Sequence, residues 1–338
     1  MIVTRRFPLH LMLLFGLRVF SAAALWALVV FALDHFLGLH FLRLPFLPIA
    51  TIGTAVAFYM GFKNNSAYDR FWEGRKIWGG IVNASRTWST AVMSYVDSGK
   101  EDDAETLATK RALIYRHLAW VNALRMQLRK TSRFFDKPSP TTKKRLESHD
   151  DHMRNDWDAE LAPFLSDDEL ADVSARANAA SQLLLRQGQA LAGLVEAGRL
   201  DMFRQLELMG VVEQLYTLQG QCERIKNTPL PRQYAEFSRV FVKVFVFLMP
   251  FGMLDVFAED GATFELPNGI LMILASGLVG WVFLMMEGIG DSSEDPFERS
   301  MNDVPMNALS RTIEIDLREM LGETDLPPKE EPAGFILY

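Results

Sequence analysis

Three side chains in one apolar stretch, Thr54, Phe58 and Phe62, recur at four-residue spacing and so share one helix face. Repeated around an axis, that face would ring a narrow hydrophobic hole, and such a constriction gates ions by dewetting. The same stripe also suits a helix that packs aromatic rings against its neighbours. The pattern alone leaves both readings open. Just beyond it, Asp69, Arg70, Glu73, Arg75, Lys76 and Arg86 alternate in sign at spacings that suit i,i+3 and i,i+4 pairs on a helix surface. Asp69 and Glu73 have the spacing of a metal pair, but the interleaved cations favour a structural ion-pair network.

The remaining candidates for chemistry are sparse. Asp291, Glu294, Asp295, Glu298 and Asp303 cluster oxygen donors of the kind Ca²⁺ takes, without the spacing of an EF-hand loop. The six histidines show no metal-ligand spacing, and neither a glycine-rich phosphate loop nor a GxSxG elbow occurs. One cysteine, Cys222, excludes a disulfide framework and a cysteine-rich metal centre. Nothing nominates a catalytic centre, so no enzyme is expected. A net charge of -7 with no basic stripe argues against a nucleic-acid partner.

The elements that must position the stripe are membrane helices. The 338 residues are 49% hydrophobic yet 23% charged, which fits a chain divided between bilayer and water. Four stretches are long and apolar enough to span about 30 Å of hydrocarbon: roughly 10–33, 42–62, 239–257 and 269–288. The first is too long for a signal-peptide core and is read as a transmembrane helix. The second continues without a proline from Pro48 to Arg86, which predicts one long helix leaving the membrane. Arg5 and Arg6, then Lys63, Arg70, Arg75 and Lys76, then Arg232, Arg239 and Lys243 flank the cytoplasmic ends. The loop between the third and fourth spans has acidic residues only. The positive-inside rule then places both termini in the cytoplasm. Arg18, Lys243 and Asp255 fall within spans, where interfacial anchoring or interhelical pairing is expected of them.

The segment 63–234 reads as a helical cytosolic domain. Its helices are expected over about 107–130, 166–198 and 201–225, separated by a loop around Pro138 and Pro140. Ser166 followed by Glu169 is a helix-start signature. Trp72, Trp78 and Trp88 suit helix packing near a membrane surface. Residues 1–62 and 235–290 then carry the membrane helices, with the pore-lining candidate at about 46–62. Residues 291–321 give an acidic loop and a helix, and 322–338 a tail that is extended or loosely ordered. The fold class is all-α.

Several motifs resemble the bacterial bestrophins: RRF at Arg5, FKNNSAYDRFWEGRKIWGG from Phe62, PLPRQY before the third span, and EDPF followed by NDVPMNAL. The resemblance runs from Arg5 to about Leu321. It implies a homopentameric ion channel of the bacterial inner membrane, around a central pore lined by the second membrane helix. The family's hydrophobic neck corresponds by position to Thr54, Phe58 and Phe62, which favours the gate reading of the stripe. A threonine stands where the family usually has Ile or Phe. The family's second, cytosolic constriction corresponds to the region around Ser181 and Leu184. Where animal members clasp Ca²⁺ with consecutive aspartates, this chain has Glu298, Arg299, Ser300, Met301, Asn302 and Asp303, so no Ca²⁺ or other cofactor is expected. The permeant ions implied are monovalent. Animal relatives conduct chloride and bacterial ones can favour cations; the net charge leans slightly to cations. The competing reading is a membrane-anchored scaffold with no conductance. A coupled transporter would need discontinuous helices or ionisable residues at mid-membrane.

Overall fold

The computed structural model describes residues 1–4, 9–99, 103–130, 153–258, 266–298, 300 and 302–338. Arg5, Arg6, Pro138, Pro140, Arg299, Met301 and most of the connection between the third and fourth spans lie outside these residues. The helices are α1 (Leu9–Leu37), α2 (Phe46–Tyr95), α3 (Ala104–Arg129), α4 (Trp157–Leu161), α5 (Asp167–Ser174), α6 (Ala179–Glu196), α7 (Met202–Asn227), α8 (Arg232–Phe257), α9 (Leu266–Ser293) and α10 (Met306–Met320). Among the described residues there is no strand, and Ile2, Ala333 and Ile336 make only isolated bridges. Contacts divide the chain into two units, one of residues 4–70 and 230–294, the other of 1–3, 71–229 and 295–338. The division falls at Arg70/Phe71, eight residues beyond the end of the second apolar span as read from hydropathy.

The first unit holds four helices long and apolar enough to cross a membrane: α1, the start of α2, α8 and α9. Helix α1 packs on α9 and α8, and α9 on α8. Close approach depends on small residues, as is common between membrane helices. A side chain at Gly269 would stand 2.4 Å from the Phe31 ring, and one at Gly280 would stand 2.8 Å from the Ala23 methyl. Ala27, Val30, Phe31, Leu254 and Met272 form one buried cluster there. Pro48 sits in the first turn of α2, where no intrahelical N–H is lost. Arg18, Lys243 and Asp255 are all exposed on the surface of the chain.

In the second unit α3 packs against α6 and α10, and α6 against α7. Trp78, Trp88 and Trp120 are fully buried in its core, while Trp72 is exposed. Trp78 and Trp88 are therefore packing residues of this core. Arg125 is buried with them and donates to Asn307 Oδ1 at 2.6 Å and to Glu160 Oε2 at 2.7 Å.

One expectation is corrected here, and of the two readings of the tail the ordered, extended one holds. The helix read over 166–198 is broken between Ser174 and Ala179, because Asn178 caps a new helix: its side chain accepts from the Ser181 N–H at 3.0 Å. The tail is docked: the Ala308 N–H donates to the Tyr338 carbonyl and the Val3 N–H to that of Phe335. Ala333, Ile336 and Tyr338 are buried with Met153. Contacts so distant in sequence leave no periodic trace in the tail itself.

Candidate pore-lining face

Helix α2 has two unlike faces in its apolar half. Ile49, Val56 and Met60 are buried against Val242, Phe245 and Met249 of α8. On the other side Phe58 is 68% exposed and Phe62 63% exposed. Together with Thr54, Ala57, Gly61 and Asn65 they line an open hollow of about 660 Å³. Thr54 is exposed, and its hydroxyl donates back to the Ala50 carbonyl at 3.0 Å. That bond occupies the hydroxyl proton on the helix's own backbone and lowers the polarity the face presents. The stripe read from the sequence is thus one continuous, unpartnered apolar strip of the chain, about 12 Å long at 1.5 Å per residue.

One residue past Phe62 the character of α2 changes. Lys63 is fully buried, on the side of the helix away from the phenylalanines. Its ammonium donates to Glu287 Oε1 at 2.6 Å and to Asp291 Oδ1 at 2.9 Å, both on α9. Glu287 also accepts from the Ser238 hydroxyl at 2.9 Å, and Asp291 from Arg239 at 2.9 Å, both on α8. Three helices are thereby tied together at the end of the apolar strip. Burying these charges is tolerable only because each is paired and hydrogen-bonded. Sequence reasoning missed this knot. The signal was present, a lone Glu287 inside the apolar run LMMEG, but its partner lies 224 residues away.

The charged run that follows does not pair along α2 as the spacing suggests. Arg70 donates to the Glu294 carbonyl at 2.9 Å. Glu73 pairs with Arg224 of α7, and Arg86 with Asp316 of α10 at 2.6 Å. Among the described residues Asp69 accepts only from the Asn65 amide, at 3.4 Å. Arg75 and Lys76 make no ion pair among the described residues. Tertiary packing supplies better-placed partners than neighbouring turns of the same helix do.

Ser181 and Leu184, the residues read as a second constriction, lie on α6. Leu184 is fully buried in the core of its unit and lines no opening. Its position is set by α6 presenting Leu183, Leu184, Leu191 and Leu194 inward. The Ser181 hydroxyl accepts from the Gln219 amide at 2.8 Å. On α6 and α7 the large apolar side chains that face outward include Leu185, Met202, Phe203, Leu206 and Met209.

The family model of the bacterial/fungal bestrophins matches residues 15–319. The chain belongs to that family. Among curated relatives, a voltage-dependent anion channel-forming protein of Mesorhizobium japonicum, mll4386, is 29% identical over 320 residues, 95% of this chain and 87% of the relative. The similarly named YneE of Escherichia coli K12 is 28% identical over 285 residues, 84% of this chain and 80% of the relative. A crystal structure of a bacterial bestrophin homolog from Klebsiella pneumoniae superposes with a TM-score of 0.73 at 24% identity, covering 92% of this chain and 99% of that one. At that identity the likeness speaks for the fold.

In this bestrophin three of the acidic residues after the fourth span, Asp291, Glu294 and Glu298, meet cations. Asp291 meets Lys63 and Arg239, and Glu298 meets Lys226. Burial pushes the Glu294 carboxyl above the usual carboxylate range, with Arg232 3.8 Å away pulling it back. Among the described residues no group of three His, Cys, Asp or Glu side chains converges in a way that could hold a metal ion.

Proposed function

We propose that this bestrophin is a passive channel for small monovalent ions in the bacterial inner membrane, with both termini cytoplasmic. Five copies would surround a pore lined by the Thr54, Phe58 and Phe62 face of α2. The observation that carries this reading is the exposure of Phe58 and Phe62 beside an opposite face fully engaged with α8. Two aromatic rings left uncovered on a pore-proximal helix make sense when other copies of the same helix complete the lining. The rings then form an uncharged neck that conducts when wide enough to stay wet and closes by drying. The names of the relatives favour anions, whereas the net charge of -7 leans towards cations. An uncharged neck sets neither sign by itself. No Ca²⁺ requirement for opening is proposed, since Lys63, Arg239 and Lys226 already engage Asp291 and Glu298.

Purified protein in a planar bilayer tests the reading. Phe58→Ala widens the neck by removing a ring from every copy, so its current should exceed that of the wild type. A membrane-anchored scaffold would instead carry no current in either form.

A further inference from the structure

We propose that Asp69 sets the charge selectivity of the pore, its five carboxylates forming a negative ring at the cytoplasmic mouth of the neck that favours monovalent cations. The assignment rests on the α2 face being the pore lining. Helix α2 is unbroken from Phe46 to Tyr95, so angular positions can be carried along it. At 3.6 residues per turn, Asp69 lies about 20° round the helix from Phe58 and Phe62 about 40°, so all three point the same way. The rise places Asp69 about 10 Å beyond Phe62.

What distinguishes Asp69 is that, of the two carboxylates on α2, it is the one without a cationic partner among the described residues. Glu73, about 20° round the helix from Phe62, is neutralised by Arg224, while Lys63 is held by Glu287 and Asp291 and Arg70 meets the Glu294 carbonyl; Arg75, unpaired among the described residues, points about 100° away from Phe58. Asp69 is exposed, and its sole partner among the described residues is the neutral Asn65 amide. Asn65 itself lines the hollow with the phenylalanines. An ion leaving the apolar neck therefore meets an uncompensated carboxylate as its first formal charge. Low-dielectric walls focus that field on the passage. Lys76 shares the angular position a further two turns along α2 and carries the opposite charge. The separation from the neck is then about 20 Å, more than two Debye lengths at physiological salt, so its influence on ions in the neck is the weaker one.

Reversal potentials in a KCl gradient test this on full-length protein in planar bilayers. The variants are Asp69→Asn, Asp69→Lys and Lys76→Gln, each checked for oligomer integrity by size-exclusion chromatography, with Phe58→Ala as the conductance control. The expected result is a cation preference in the wild type that falls on the order of tenfold in Asp69→Asn, the low end of what charge focusing delivers. Asp69→Lys should invert it, and Lys76→Gln should move it less than Asp69→Asn does. The Asp69→Asn effect should shrink in 1 M salt, where screening is over about 3 Å. Current through all variants with an unchanged permeability ratio in Asp69→Asn and Asp69→Lys overturns the assignment and leaves the channel standing. A shift from Lys76→Gln alone overturns it too. Silence from wild type and Phe58→Ala alike removes the channel, and the assignment with it.

Discussion

Lys63 and His117 are both buried ionisable residues, and they answer to opposite physics. Lys63 is paired with two carboxylates, and removing it leaves the buried Glu287 without that cation, while Asp291 keeps Arg239. Lys63→Met should therefore cost about 3 kcal/mol or more of stability, read as a lowered unfolding midpoint in detergent. Lys63→Arg should cost less, because a cation still reaches the pair. His117, in the other unit, is fully buried with Nε2 2.8 Å from the Ser85 hydroxyl and, among the described residues, no hydrogen-bond partner for Nδ1. Burial pushes its imidazole down to about 3. It stays neutral in the folded chain, whereas the unfolded chain takes up a proton below about pH 6.5. Its contribution to stability is complete above pH 6.5 and drains away as pH falls from there towards 3. Replacing it in His117→Gln should flatten the pH dependence of unfolding over that window by about 1.4 kcal/mol per pH unit. An unchanged slope would mean that the ring is solvated.

At the scale of elements, the long helix and its apolar strip were legible in the sequence because both are local. A four-residue recurrence is a property of one stretch of chain, and an unbroken run without proline is another. The start of α5 was legible for the same reason, since Ser166 and Glu169 are three residues apart and the Ser166 side chain does accept from the Glu169 N–H. What stayed hidden depends on partners far away in sequence: Glu287 for Lys63, Arg224 for Glu73, Asp316 for Arg86, and the docking of the tail on α10. The break at Asn178 escaped because an apolar pattern runs through it and only the cap marks the stop. Leu184 shows the limit of reading positions from a resemblance. It occupies a core, not an opening, so Leu184→Ala should lose about 2–5 kcal/mol of stability and leave the permeability ratio of the surviving oligomers unchanged. A change in selectivity with full stability would return Leu184 to the pore.

For the whole molecule, the account depends on copies of one chain completing what a single chain leaves bare. The chain alone exposes Phe58 and Phe62 beside a helix face that α8 covers, and the charge knot at Lys63 fixes that face in place. In the proposed pore, selectivity would belong to residues outside the uncharged neck and gating to the neck itself. The two functions can be separated by substitution, because Phe58 carries no charge and Asp69 lies beyond the narrow part. Membership of the family is shown by the match over residues 15–319, and the proposed pore would give that membership a mechanism. Ionic current through purified protein in a planar bilayer, wild type beside Phe58→Ala, with the assembly of five copies verified by native mass spectrometry, decides the matter. The account predicts current in both and the larger current in Phe58→Ala. Intact assemblies that stay silent in both forms would contradict it and leave the exposed phenylalanines as a surface for packing alone.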